Sequence, residues 1–362
     1  MDNTPVLIIG GGTAGLAAAA EVARRGLACL LVERGPALGG RAAGFCCKAL
    51  EACARCGACR LGDLLDAVGS QPGVRALLRA EAGAARPLAG GGWEIDLLPT
   101  APEERPAGHE GRDLPASQAA PLAAPLTVRA RAVILAPGYA PFDPRLKTRF
   151  GYGRVPQVVS SLELERTLAL GGPDPWPGRV AFIQCVGSRD HELGRPYCSR
   201  VCCAYALRLA RLLRKREPHT QTTFFHMDTQ GYGRAWEEEL PAMRREVRFI
   251  RAMPGEVTRA EGGAEVVWAV PEGLPVREEF DLVVLSVGLG PSAEAEALGG
   301  LFGAARTADG FLGLEDQAVA AGAPGVFLAG AARGPMSISE AIAHAALAAA
   351  GAAAWAGEVR NV

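Results

Sequence analysis

Nine of the ten cysteines fall into two groups: Cys46, Cys47, Cys53, Cys56 and Cys59, then Cys185, Cys198, Cys202 and Cys203. The run Cys53-x2-Cys56-x2-Cys59 has the short spacing that lets several thiolates meet on one iron–sulfur cluster. Cys47, six residues earlier, is the natural fourth ligand, and Cys46 competes with it. Four thiolates can also hold zinc, but the density of the pattern favours iron–sulfur. Without a metal, five thiols in fourteen residues would be a redox liability. In the second group Cys185 ends an expected strand, in Phe182-Ile183-Gln184-Cys185, and the other three lie on a helix expected over 198–216, with Cys198 and Cys202 one turn apart on one face. Cys29 stands alone in an apolar strand and reads as a plain core residue.

A second set of residues can bind an anion. Gly10-Gly11-Gly12-Thr13-Ala14-Gly15 matches G-x-G-x-x-G, directly after the apolar run Val6–Ile9 and at the start of an Ala-rich helix. Gly10 makes the tight turn, Gly12 admits the backbone to a pyrophosphate, and Gly15 lets helix and strand pack closely. The phosphates then meet free N–H groups and the positive end of the helix dipole. Glu33, at the end of the next strand, is placed to accept from an adenosine ribose.

These residues need an α/β frame. Short apolar runs at Ala28–Val32, Val180–Ile183, Thr222–His226 and Leu282–Val287 read as buried parallel strands, with helices between them. Trp93–Leu97 and Leu126–Arg131 are expected in a small antiparallel layer, Ala132–Tyr139 as a further strand, and residues 99–125, rich in Pro, Ala and Gly, as a loop. The economical topology is two nested Rossmann-like units. Residues 1–150 and 281–362 form the dinucleotide-binding domain, and 151–280 a degenerate nucleotide-binding-like domain that carries a cluster. Ala341–Ala356 is shorter than a membrane span and is interrupted by His344, so it is expected to be a small-residue helix packed closely against a neighbour.

Further motifs resemble flavoproteins of the disulfide-reductase class. Gly39-Gly40-Arg41 is similar to the glycine pair these proteins place along FAD, and Ile134-Leu135-Ala136-Pro137-Gly138 to their A-T-G strand. Leu328-Ala329-Gly330-Ala331 resembles the late segment that closes over the ribityl chain and flavin ring, with Ala331 where the family has Asp. The resemblance implies a FAD site on Gly10, Gly12, Thr13, Ala14, Gly15, Glu33, Arg34, Gly40, Arg41, Pro137, Gly138, Gly330, Ala331, Ser337 and Ile338. No glycine fingerprint follows Ile183, so thiolates stand where a second pyrophosphate would lie.

The runs FIQCVGSRD and PYCSRVCC, with the spacing C-x12-C-x3-C-C, resemble the flavin-bearing A subunit of heterodisulfide reductase, whose relatives include flavoproteins of quinone-interacting complexes. The resemblance extends from VLIIGGGTAGLAAA to GPMSISEAIAHAA. It implies a [4Fe–4S] cluster on Cys185, Cys198, Cys202 and Cys203 close to the FAD. With Cys47, Cys53, Cys56 and Cys59 that makes two clusters. Long family members carry a ferredoxin-like cysteine insert where this chain has the cysteine-free stretch 99–125, so a core-only version is expected.

The expected function is electron transfer between flavin and clusters within a heterodisulfide reductase-like or quinone-interacting complex, with other redox subunits or a second copy of the chain as partners. The alternatives are a stand-alone NAD(P)H-dependent disulfide or ferredoxin reductase and a flavin-free scaffold. A net charge of −1 with dispersed Lys and Arg gives no nucleic-acid footprint. The N-terminus lacks the basic region of a signal peptide, so the chain is expected in the cytoplasm, where clustered cysteines serve metal or redox chemistry. Lys48, His191 and His226 read as ordinary side chains, whereas Arg189 and Arg200 flank the second cysteine group and can offset its charge.

Overall fold

The computed structural model describes residues 2–46, 56–102, 114–173, 175–231, 234–270 and 273–358. They fall into two units, one from Met1–Gly44, Gly57–Ala140 and Pro291–Val362, the other from Phe45–Cys56 and Pro141–Gly290. The domain limits expected at 150 and 281 therefore each move outward by about ten residues. The reason is sheet membership. Leu282–Val287 pairs in parallel with Arg179–Val186 and Val158–Ser160, and Phe142 and Phe150 lie in the core of the second unit. Phe45, Cys46 and Cys56 also fall in the second unit, for which sequence patterning carries no signal.

In the first unit, Leu126–Leu135, Asp2–Ile9, Cys29–Val32 and Val74–Leu78 lie side by side in parallel. All four residues of Cys29–Val32 are buried, as a strand covered on both faces requires. Leu126–Leu135 is one strand rather than two. Its start pairs antiparallel with Trp93–Pro99, and it runs parallel to Asp2–Ile9. Ala119–Pro121, within the stretch expected as a loop, adds an edge strand beside Val74–Leu78.

The helix Ile338–Glu358 is long and apolar enough by composition to cross a membrane. Its Ala345, Ala348, Ala349, Ala352 and Ala356 lie in the apolar core with Leu16, Ala18 and Ala19 of the helix Thr13–Arg24. Small side chains let the two helices approach closely, which accounts for the alanine content.

The second unit holds a five-stranded parallel sheet in the order Arg248–Ile250, Gln221–Phe225, Arg179–Val186, Leu282–Val287, Val158–Ser160, and an antiparallel sheet of Glu256–Arg259, Ala264–Trp268 and Val276–Phe280. The helix Ser161–Ala169 opens with a reciprocal cap between Ser160 and Glu163. The helix expected from Cys198 begins instead at Cys202. Arg200 has φ +63, a left-handed conformation that cannot continue a right-handed helix. Cys198 is thus on the loop before the helix.

Candidate functional site

The glycine loop of the first unit is built as its pattern requires. A Cβ on Gly10 would lie 2.2 Å from the Ala136 carbonyl oxygen, and one on Gly15 would lie 1.8 Å from that of Gly10. Neither position admits a side chain. Gly12 differs, because a Cβ there would meet only Gly40 Cα, at 3.9 Å. The helix that begins at Thr13 and Ala14 has no side-chain cap and no acid in its first turn, so its leading N–H groups are available to an anion. Glu33 is fixed by two backbone donors, Gly11 N–H and Gly35 N–H, each at 2.7 Å. Burial pushes its pKa up, against the pull of those two N–H groups. Each oxygen keeps a lone pair for a ribose hydroxyl. This cradle of backbone donors, open space and one pinned carboxylate fits the dinucleotide part of FAD.

The remaining predicted residues divide. Gly40 packs on Gly12, and Pro137 and Gly138 follow Ala136, which abuts Gly10. Gly330 opens a 3-10 turn that includes Ala331 and abuts Ala14. Arg41 places its guanidinium 5.1 Å from the Tyr139 ring centroid and donates to the Tyr139 carbonyl at 3.4 Å. Arg34, next to Glu33, is half exposed and paired with Glu294 at 2.5 Å. Ser337 caps the helix begun by Ile338, accepting from Glu340 N–H while its own N–H donates to the Glu340 carboxylate. His344, in sequence only a break in an apolar helix, has a defined task. Its Nδ1 accepts from Gly330 N–H at 3.1 Å and its Nε2 meets the Ala318 carbonyl at 2.8 Å. The Nδ1 contact holds the turn at Gly330, and the Nε2 contact ties the same ring to Ala318.

The second cysteine group is gathered in the other unit. Cys185, Cys202 and Cys203 are buried and Cys198 is half-buried. The strand Arg179–Val186 slips register between Ile183 and Val186. Cys185, Arg189 and Arg200 all have positive φ, at 56°, 54° and 63°, a conformation that costs energy outside glycine and gathers at functional sites. Arg200 N–H donates to Cys198 Sγ at 3.3 Å. The Cys202 thiol donates to Cys203, which holds the Cys203 pKa below the usual thiol range and lifts that of Cys202 well above it; Gln230 N–H also donates to Cys203. Burial, with Cys203 and Cys198 nearby, pushes Cys185 up to about 12.

Buried thiols gathered together, with those of Cys185 and Cys202 held above the usual thiol range, make a site that calls for cations. Among the described residues no three His, Cys, Asp or Glu side chains are arranged to hold a metal ion. A cubane spreads its ligands over four irons and tolerates wider thiol separations than one ion does. Sulfur-directed N–H groups and the buried Ser188 hydroxyl, which has no partner among the described residues, fit a sulfide-rich group. Asp228 and Gln230 belong to this site too, although no motif in the sequence points to them. They lie just past the strand Gln221–Phe225, with Arg189 donating to both carboxylate oxygens of Asp228.

In the first cysteine group, Cys47, Cys53 and Lys48 lie outside the described residues. Cys46 and Cys56 belong to the second unit and Cys59 to the first. Cys46 is clamped by a buried ion pair that no sequence pattern signals. Arg208 and Glu165, 4% and 3% exposed, meet at 2.6 Å. Glu165 accepts from Cys46 N–H at 2.6 Å, and Arg208 donates to the Cys46 carbonyl. Burial and the Glu165 carboxylate push the Cys46 thiol up to about 12. Arg208→Met strands that carboxylate without its counter-ion, so a loss of about 3–5 kcal/mol is expected in urea unfolding. The double variant Arg208→Met/Glu165→Leu should recover most of that loss, since an apolar pair of similar volume restores packing without a buried charge.

The model of the FAD-dependent oxidoreductase family matches residues 5–55. The chain is 40% identical over 239 residues to the A subunit of the H(2):CoB-CoM heterodisulfide,ferredoxin reductase of Methanothermobacter marburgensis, an alignment that takes in 61% of this chain and 36% of that protein. It is 30% identical to an iron-sulfur A subunit of the CoB--CoM heterodisulfide reductase of Methanopyrus kandleri, over 94% of this chain and 62% of that protein. That alignment runs to 418 residues, longer than this chain, so the relative carries inserted residues. The alignment to the Methanothermobacter marburgensis subunit thus spans about a third of that relative's length. Among solved structures, thioredoxin reductase of Lactococcus lactis superposes with a TM-score of 0.62 at 19% identity, over 98% of this chain and 99% of that one. Bacillithiol disulfide reductase of Bacillus cereus gives 0.57 at 16%, over 99% and 100%. The chain is a homologue of the heterodisulfide reductase A subunit, built on the two-unit α/β fold of the FAD-dependent disulfide reductases.

Proposed function

We propose that this chain is an electron-transfer component of a heterodisulfide reductase-like complex, with FAD held by its first unit and an iron–sulfur centre by Cys185, Cys198, Cys202 and Cys203. The observation that carries it is one of substitution. The second unit keeps the parallel sheet of a nucleotide-binding domain, but one thiol near the end of its strand Arg179–Val186 and three that follow it, with N–H groups aimed at two of the four, stand there instead. When bound, flavin supplies two-electron chemistry and an iron–sulfur centre one-electron steps, and the protein supplies placement and electrostatics. Gly12 and the start of the helix Thr13–Arg24 receive the pyrophosphate, Glu33 the ribose, and His344 fixes the backbone at Gly330. A second cluster on Cys47, Cys53, Cys56 and Cys59, redox subunits as partners and a cytoplasmic location complete the proposal.

The test is anaerobic purification with flavin, iron and sulfide quantified, followed by mixing with NADH or NADPH. One FAD per chain, iron with sulfide, and no rapid bleaching by either nucleotide are expected, since no glycine fingerprint follows Ile183. Rapid bleaching without a partner protein would establish the stand-alone reductase instead. A colourless protein would establish the scaffold.

A further inference from the structure

In the second unit the sheet neighbour of Arg179–Val186 is Gln221–Phe225, parallel to it. A nucleotide-binding unit places the acid that grips the ribose just past this second strand. The acid here is Asp228, and it is not free. Arg189, in the turn after Arg179–Val186, donates both terminal nitrogens to its two oxygens, the Nη2 contact being 3.3 Å. Arg189 is held in a left-handed conformation, φ +54, and its backbone N–H donates to the Tyr197 carbonyl at 2.8 Å, beside Cys198. Its guanidinium is within electrostatic reach of Cys185 and Cys198. Two residues beyond Asp228, Gln230 N–H donates to Cys203. One short loop thus fixes both a cation and a hydrogen bond against the thiols.

We propose that Asp228 and Arg189 are a positioning pair whose charges tune the reduction potential of the centre on Cys185, Cys198, Cys202 and Cys203. The inference rests on the function proposed above. Its physics is that reduction adds negative charge to the centre. A fixed guanidinium nearby stabilises the reduced form and raises the potential, and a carboxylate behind it lowers the potential. Arg189 and Asp228 side chains are 28% and 40% exposed, so solvent weakens the effect without removing it.

The experiment is an EPR-monitored redox titration of the anaerobically purified full chain and three variants. Arg189→Gln should shift the centre to a more negative potential. Asp228→Asn keeps an oxygen for Arg189 and removes the negative charge, so the shift should be positive. Arg189→Lys should restore most of the wild-type value. Opposite signs are the signature of charge, because a merely structural role would move both variants the same way. Unshifted potentials, or shifts of one sign, overturn the pair's role while the cluster stands. A wild-type chain without iron overturns the function and this inference together.

Discussion

A Gly12→Val chain should fold as the wild type does and purify without its flavin. Gly12 has φ −74 and ψ −172, extended backbone that valine adopts readily. The nearest atom to an added Cβ is Gly40 Cα at 3.9 Å, so the protein itself makes room for the side chain. The loss falls on the ligand, because that space lies at the uncapped start of the helix Thr13–Arg24, where the pyrophosphate must approach the backbone. FAD affinity is expected to fall about a hundredfold or more, roughly 2.7 kcal/mol, with an unchanged unfolding midpoint for the flavin-free protein. Flavin content and circular dichroism measure the two halves. Full flavin occupancy in this variant would show that the cofactor lies elsewhere.

The second large effect is expected at Cys202. It is buried in the first turn of the helix Cys202–Arg216 and donates to Cys203. Serine keeps the size and the donor, so the helix should still form. A hydroxyl is a poor ligand for iron, and removing one of four thiolates is expected to cost about four irons per chain if the ligands share one cubane. Flavin should remain, because the residues of the flavin site belong to the other unit. Iron, sulfide and flavin assays on the Cys202→Ser protein decide the matter. Unchanged iron would make the second cysteine group structural.

Where a residue's role depends on its own backbone neighbourhood, it is legible in the chain. The turn at Gly10–Gly15 is specified by side chains that cannot fit, and Glu33 by its place at the end of the following strand. The thiols of the second group stand out through their spacing along the chain, but the loop that carries Cys198 does not. The helix start is not, because a left-handed Arg200 interrupts a stretch whose composition favours helix. What stays hidden depends on pairings between distant parts of the chain. Leu282–Val287 belongs to the second unit only through its sheet partners. Cys46 meets Glu165 across 119 residues and Arg208 across 162. Arg189 finds Asp228 39 residues on, and His344 reaches back to Gly330 from a helix whose composition is merely apolar. Sequence determined which chemistry the chain carries, since residue type and local spacing fix donors and turns. Tertiary structure alone decided which charges stand behind those donors, since desolvation and ion pairing depend on what the fold brings alongside.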